Sequence, residues 1–164
     1  MLATQAWAQT TFFEVDGLTF TVISGINTVS VEKGSTSPTN ELSIPSSVEN
    51  DGIPYMVVSI GERAFYNCSG LTSVSIPNSV RIIGDEAFVN CSGLTSITIP
   101  NSITSIGNYD YVSNVFKGCS KLAEINVEND NTNYSSEEGV LFNKDKTTLI
   151  CCPAGKTGTY TIPN

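Results

Sequence analysis

Short segments in which apolar and polar residues alternate recur along the chain and are separated by turn residues. Between residues 72 and 77, Val74 and Ile76 are apolar, whereas Ser73 and Ser75 are polar. Because strand side chains point alternately to two faces, this pattern predicts a short strand with its apolar residues inward. Pro77 ends it, since proline cannot donate a hydrogen bond to a neighbouring strand. The same alternation predicts strands near residues 42–44, 72–76, 95–99 and 123–127.

The segment 60–80 is repeated 23 residues later as the segment 83–103, with 15 of 21 positions identical. A period of about 20 to 29 residues with leucine-like residues at L-x-x-L-x-L spacing is typical of a leucine-rich repeat solenoid, whose coils bury their apolar faces by stacking. A third unit begins at Ile106, takes in five extra residues and returns to register at Val115. Partial units at 42–48 and 160–163 extend the predicted array over most of the chain.

Within one coil, we expect Phe88 to be the large core residue and Cys91 to lie inside the return to the next strand. Gly84 and Gly93 are placed to permit turns. Any helix should be a single turn near residues 64–65 or 87–88.

Three cysteines occupy equivalent positions in successive coils, namely Cys68, Cys91 and Cys119. A ladder of this kind is compatible with disulfides, but the positions have a core pattern and free cysteine behaves as a small buried apolar residue. We therefore expect reduced, structural thiols. Cys151 and Cys152 are adjacent, so in a strand they point to opposite faces and one thiol is exposed and reactive.

The N-terminal residues resemble the end of an export signal. Ala6 and Ala8 flank Trp7 in a small-x-small pattern that would place cleavage before Gln9, although a merely disordered terminus is the alternative. We expect residues 1–8 to be the remnant of an export signal and 9–40 an N-terminal β cap. Residues 41–164 would then form the repeat array, with a hairpin insert at 129–155.

The repeated phrase IGxxAFxxCxxLTSxxIPxSV resembles the BspA-type leucine-rich repeat of surface proteins from host-associated bacteria and some protists. The segments 12–24 and 129–155 are similar to the strands that precede such arrays and to the hairpin that interrupts them. The resemblance implies a β-rich, right-handed leucine-rich repeat solenoid with a parallel sheet, short helical turns and an N-terminal β-strand cap. It also implies a secreted or cell-surface protein that binds host proteins, matrix or other cells without being an enzyme.

Charge and composition narrow the possible functions. The chain has 16 acidic and 8 basic residues, so its net charge of -8 argues against nucleic acid or anionic membrane as a partner. It has no histidine, which removes histidine-based triads and histidine-containing zinc sites. The carboxylates, Glu62 and Asp85 among them, are expected on solvated turns. The acidic segment 128–133 lacks the glycine and final glutamate of an EF-hand loop, so we expect a polar turn and no cofactor.

The candidate binding residues are the outward positions of the predicted strands. They form a strip of small polar side chains on the expected concave sheet, without the aromatic or arginine anchors of tight interfaces. Its central members are Ser73, Ser75, Ser96, Thr98, Glu124 and Asn126, with Glu41, Ser43, Thr159 and Thr161 at its ends. Exposed aromatic candidates are Tyr66, Tyr109 and Tyr111. We expect a monomer that binds weakly and multivalently; a passive spacer, or a ligand-recognising hydroxyl array, are the alternatives.

The insert is expected to cover the last coil. Val140, Leu141 and Phe142 would supply an apolar side to lay against Leu122 and Ile125, with a polar hairpin tip at 144–146. The alternative is an array with an open end, which would associate end to end.

Overall fold

The computed structural model describes residues 12–23, 27–35, 37–107 and 114–161. Within these ranges the chain forms 14 strands and no α-helix. In chain order the strands are β1 (Phe12–Val15), β2 (Leu18–Ile23), β3 (Thr28–Glu32), β4 (Asn40–Ser43), β5 (Ser47–Asn50), β6 (Ile53–Ile60), β7 (Leu71–Ser75), β8 (Ile82–Ile83), β9 (Ser96–Ile99), β10 (Ser105–Ile106), β11 (Glu124–Val127), β12 (Tyr134–Glu137), β13 (Val140–Asn143) and β14 (Leu149–Cys151).

The strands with the leucine-type pattern stack in parallel, one from each coil. Strand β4 pairs in parallel with β7, and β9 pairs in parallel with β11. The amide of Thr95 donates to the carbonyl of Thr72 at 3.2 Å, which joins the two pairs. The predicted strands of the array are confirmed to within two residues at each end, because the alternation of burial that defines them is local.

A second parallel ladder forms on another side of the coils, where β6, β8 and β10 lie side by side. The N-terminal strands join this ladder directly. Strands β1, β2 and β3 are antiparallel to one another, and β3 then pairs in parallel with β6. The N-terminal strands are therefore continuous with the sheet of the array.

The third side of each coil is a tight turn, and we call the stacked segments 61–68, 84–91 and 114–119 the turn column. In the first of them, alternate amides donate to carbonyls three residues earlier, as Tyr66 does to Arg63 at 3.0 Å, and the amides between them donate to the next coil. A helix does not form because Arg63 and Asn67 adopt left-handed φ angles of 56° and 61°. The expected short helical turn is replaced by a series of tight turns.

The core runs through all the coils and is built from equivalent residues. Phe65, Phe88 and Phe116 stack with ring centroids 5.4 and 5.9 Å apart, and Phe88 is fully buried. The prediction for Phe88 and Cys91 is confirmed.

The expectation that Gly84 and Gly93 are needed to permit turns is wrong. A Cβ on Gly84 would lie 2.6 Å from the amide nitrogen of Glu62, and one on Gly93 would lie 2.6 Å from the carbonyl oxygen of Ser69. These glycines allow neighbouring coils to approach closely. The left-handed angles are instead adopted by Glu86 and Asn90, at 53° and 60°.

The insert forms a three-stranded antiparallel sheet, β12-β13-β14, beside the last strand of the array. Val140, Leu141 and Phe142 are buried, as their apolar character indicates. The amide of Ile125 donates to the carbonyl of Gly139 at 2.8 Å, so the turn before β13 lies along the edge of β11.

Some predictions fall outside the described residues or fail. Residues 1–8, Tyr109 and Tyr111 lie outside them, as do 162–164 of the predicted final strand. The described part of that strand, which includes Thr159 and Thr161, has no strand structure. Within the described ranges, no helix has the length and apolar composition that a membrane span requires.

Candidate binding surface

The central members of the predicted strip come together in two rows across the stacked strands, and we call this surface the polar strip. In one row Glu41 lies beside Ser73, and Ser96 lies beside Glu124. In the other, Ser43 lies beside Ser75, and Thr98 lies beside Asn126. All of these side chains are exposed except Ser73, which is half-buried.

The polar strip is chemically uniform in its centre and acidic at its edges. Its two middle strands, β7 and β9, present only hydroxyl-bearing side chains, whereas Glu41 and Glu124 stand at opposite ends of one row. The side-chain amide of Asn126 donates to Glu124 at 3.3 Å, so one carboxylate is partly oriented. The strip can accept and donate hydrogen bonds, but it offers no aromatic side chain or arginine as an anchor.

Tyr66 does not belong to the polar strip. It lies in the turn column, half-buried, with the guanidinium of Arg63 6.0 Å from its ring centre. The Arg63 side chain also forms an ion pair with Glu86 at 2.6 Å, so the tyrosine is part of an ordered surface.

The turn column carries a side-chain ladder that the sequence analysis did not identify. The side-chain amide of Asn90 donates to the side-chain oxygen of Asn67 at 2.9 Å, one coil below. The same side chain covers Gly118, where a Cβ would lie 2.1 Å from its oxygen. The sequence contains a signal for this ladder, because Asn67, Asn90 and Gly118 each precede the repeated cysteine. In the structure all three residues have a positive φ angle.

The cysteines of the repeat are free and buried, as expected. The thiols of Cys91 and Cys119 donate to the carbonyls of Phe65 and Phe88, each at 3.1 Å. The neighbouring Cys119 thiol, together with burial, raises the pKa of Cys91 above its ordinary value. Both thiols are buried and bound to backbone of the preceding coil, which keeps them away from reagents in solution.

The two C-terminal cysteines differ from each other. Cys151 is half-buried, and burial, reinforced by nearby Cys152 and Cys119, raises its pKa to about 11. Cys152 is exposed. Cys151 comes from the insert, yet it lies close enough to Cys119 for that thiol to contribute to its raised pKa.

The acidic segment 128–133 is a structural loop organised by a buried side chain. Asn131 is fully buried and its side-chain amide donates to the carbonyls of Pro100 at 2.7 Å and Ile103 at 3.2 Å. The ammonium group of Lys144 donates to the carbonyls of Asn129 and Asn131. A positive charge of the chain itself therefore already lies against the loop carbonyls that a cation would use.

A group of carboxylates lies where the N-terminal strands meet the turn column. Burial raises the pKa of the Glu32 carboxyl above its usual value, and the nearby Glu62 carboxylate adds to this effect, against a hydrogen bond with Ser30. Glu62 itself is exposed and Asp85 is half-buried.

Comparisons with known proteins agree with this architecture. The model of one family, described as a BspA type leucine rich repeat region in 6 copies, matches residues 40–152. A leucine-rich repeat protein from Bacteroides ovatus is 37% identical, with a TM-score of 0.58 over 69% of this chain, which spans 28% of the length of that protein. A leucine-rich repeat protein from Bacteroides capillosus is 21% identical, with a TM-score of 0.51 over 71% of this chain and 98% of its own, a likeness of fold alone. The comparison with curated protein sequences gave no match.

Proposed function

Because the chain belongs to the BspA-type leucine-rich repeat family, we propose that it is a non-catalytic binding module, secreted or displayed at the cell surface. In this proposal the polar strip contacts proteins of a host, its matrix or other cells. The observation that carries the proposal is the register of the parallel strands, which aligns exposed polar side chains of four coils in two rows.

The chemistry of the polar strip favours weak binding by many copies of the protein, and it disfavours a single high-affinity interface. Small hydroxyl side chains form hydrogen bonds but bury little apolar area, and interfaces of high affinity usually contain aromatic or arginine anchors. Many weak contacts become strong when several copies bind the same surface, because later contacts form at a high effective concentration.

The experiment compares a single copy with many copies. The protein is coupled at high density to beads and tested for adhesion to immobilised matrix proteins and cultured host cells, beside the free protein. We expect bead adhesion and little binding of the free protein. Thr98→Arg, which places a bulky cation in the polar strip, should reduce adhesion at least tenfold, whereas Thr157→Arg at an exposed loop position should leave it unchanged.

A passive spacer is the second candidate, and the missing anchors of the polar strip favour it. A spacer predicts that beads adhere to none of the surfaces and that Thr98→Arg changes nothing. Adhesion that survives Thr98→Arg in full would reject the polar strip as the binding surface.

A further inference from the structure

We propose that a cleft at the end of the turn column binds an extended peptide segment with small, non-basic side chains, held through its backbone. The cleft has a volume of about 410 Å³ and lies apart from the polar strip. One wall is the third turn, including Phe116 and Gly118, and the other is the strand end around Leu149 and Pro153. We call it the end cleft.

Backbone hydrogen bonds between coils give the turn column a direction. The amides of Phe65 and Asn67 donate to the carbonyls of Ala87 and Val89, each at 2.8 Å. The same pattern continues one coil further. The amide of Phe88 donates to Val115 at 3.1 Å, and that of Asn90 to Lys117 at 2.7 Å. Each turn therefore accepts on one side and donates on the other.

The third turn donates no backbone hydrogen bond to another coil among the described residues, whereas two of its carbonyls accept from the second coil. Because the carbonyls of Val115 and Lys117 face the second coil, the amides of Phe116 and Gly118 face away from it, towards the end cleft. In the described part of the chain neither amide has a hydrogen-bond partner. Two donors in a row at the spacing of alternate residues match the carbonyls of an extended chain.

The opposite end of the turn column shows what kind of segment fits such a place. There Ser37 and Thr39 lie beside the end of the first turn, in a segment of the chain that is rich in glycine, serine and threonine. Ser37 lies near the Cys68 thiol, and a Cβ on Gly70 would lie 3.1 Å from the methyl group of Thr39. Side chains of this size suit a cleft of this volume.

The walls of the end cleft define the side chains that it accepts. Phe116, Leu149 and Pro153 contribute apolar surface, and Lys117 is part of the lining. Basic residues are disfavoured by Lys117. A second copy of this chain is a poor occupant, because Ser37 and Thr39 already lie against its own first turn. The occupant is therefore an extended segment of a partner protein.

The test uses the full chain labelled with ¹⁵N and a capped peptide with the sequence Gly-Ser-Thr-Ser-Pro-Thr-Asn. In the free protein, the amides of Phe116 and Gly118 should exchange with solvent at least tenfold faster than the equivalent amides of Phe88 and Asn90. Addition of the peptide should shift and protect the first two amides.

Matched variants locate the binding. Ala154→Arg fills the end cleft and should weaken peptide binding at least tenfold, whereas Thr157→Arg should leave it unchanged. If Ala154→Arg does not fold, a bulky maleimide on the exposed Cys152 blocks the same cleft and should have the same effect. The proposal is overturned if the two amides are already protected in the free protein, if millimolar peptide does not shift them, or if only amides of the polar strip respond.

Discussion

At the scale of single residues, Asn131 is the side chain on which the junction between array and insert depends. It is the only fully buried polar residue among those described, and all of its hydrogen-bonding groups are engaged. Its amide binds the preceding coil, and its side-chain oxygen accepts from the amides of Asn133 and Tyr134, each at 2.8 Å. One side chain thus connects the last coil to the start of β12.

Replacing Asn131 should therefore destabilise the whole fold. In Asn131→Ala, two amides and two carbonyls lose their partner in a buried place, and each unsatisfied group costs about 1 to 3 kcal/mol. We expect a loss of about 3 kcal/mol or more in the free energy of unfolding, measured by urea denaturation. Asn129→Ala, at an exposed position of the same loop, should change it by less than about 0.5 kcal/mol. Equal midpoints for the two variants would contradict the role given to Asn131.

The individual cysteines also differ in their expected reactivity. With a pKa of about 11, the Cys151 thiol is ionised to only about one part in a thousand at pH 8, and the thiolate is the reactive form. We expect iodoacetamide at pH 8 to modify exposed Cys152 first in the native protein. Peptide mass mapping after a short reaction identifies the site. The rate at Cys151 should rise about tenfold per pH unit as long as the protein stays folded, and early modification of Cys68 or Cys119 would show that the core opens.

At the scale of elements, β13 is the strand that gives the insert its apolar side. Its residues Val140, Leu141 and Phe142 are all buried, although only Leu141 belongs to the main core cluster. The Phe142 ring also lies 6.5 Å from that of Tyr160. Because β12 and β14 pair only with β13 in this sheet, its packing holds the insert together.

Truncation of this strand's largest residue tests that dependence. Phe142→Ala should lower the free energy of unfolding by about 3 to 5 kcal/mol, as for other buried aromatic residues. Leu149→Ala on β14, whose side chain is 39% exposed, should cost about 1 kcal/mol or less. Sedimentation of the wild type and of both variants checks the expectation that the insert keeps the chain monomeric. End-to-end association of the wild type, together with unchanged stability of Phe142→Ala, would reject that expectation.

At the scale of the whole molecule, the N-terminal strands and the repeats share one core. The buried apolar cluster runs without interruption from Leu18 and Val31 in the N-terminal strands to Leu141 in the insert. The parallel pairing of β3 with β6 provides backbone continuity as well. We therefore expect one cooperative unfolding transition.

A substitution near the N-terminus tests this unity. Val31→Ala in β3, at a fully buried position, should lower the urea midpoint of the single transition and cost about 2 kcal/mol. Val22→Ala, at a half-buried position of β2, should cost less. Amides of β3 and β11 should report the same midpoint in both variants. A separate early transition confined to β1–β3 would show that residues 9–40 fold as an independent unit.

Much of the array could be predicted because its determinants are local and repeated. Val74 and Ile76 alternate with Ser73 and Ser75, and this alternation alone places the strand and its buried face. The repetition of Phe65 as Phe88, and of Cys68 as Cys91, places those residues at equivalent points of successive coils. Near Ala64 the chain forms tight turns without a helix, because Arg63 and Asn67 adopt left-handed φ angles.

The sequence by itself determined the coil, its period, its core residues and the outward positions of the polar strip. A solenoid coil meets only its neighbours, so a repeated pattern specifies the same contacts each time. Only the tertiary structure decided what happens where the repetition stops. The pairing of β3 with β6 and the bonds of Asn131 join residues without a shared pattern, and the end cleft forms where the third turn meets the insert. Such contacts depend on which segments the fold brings together, and no period in the chain records them.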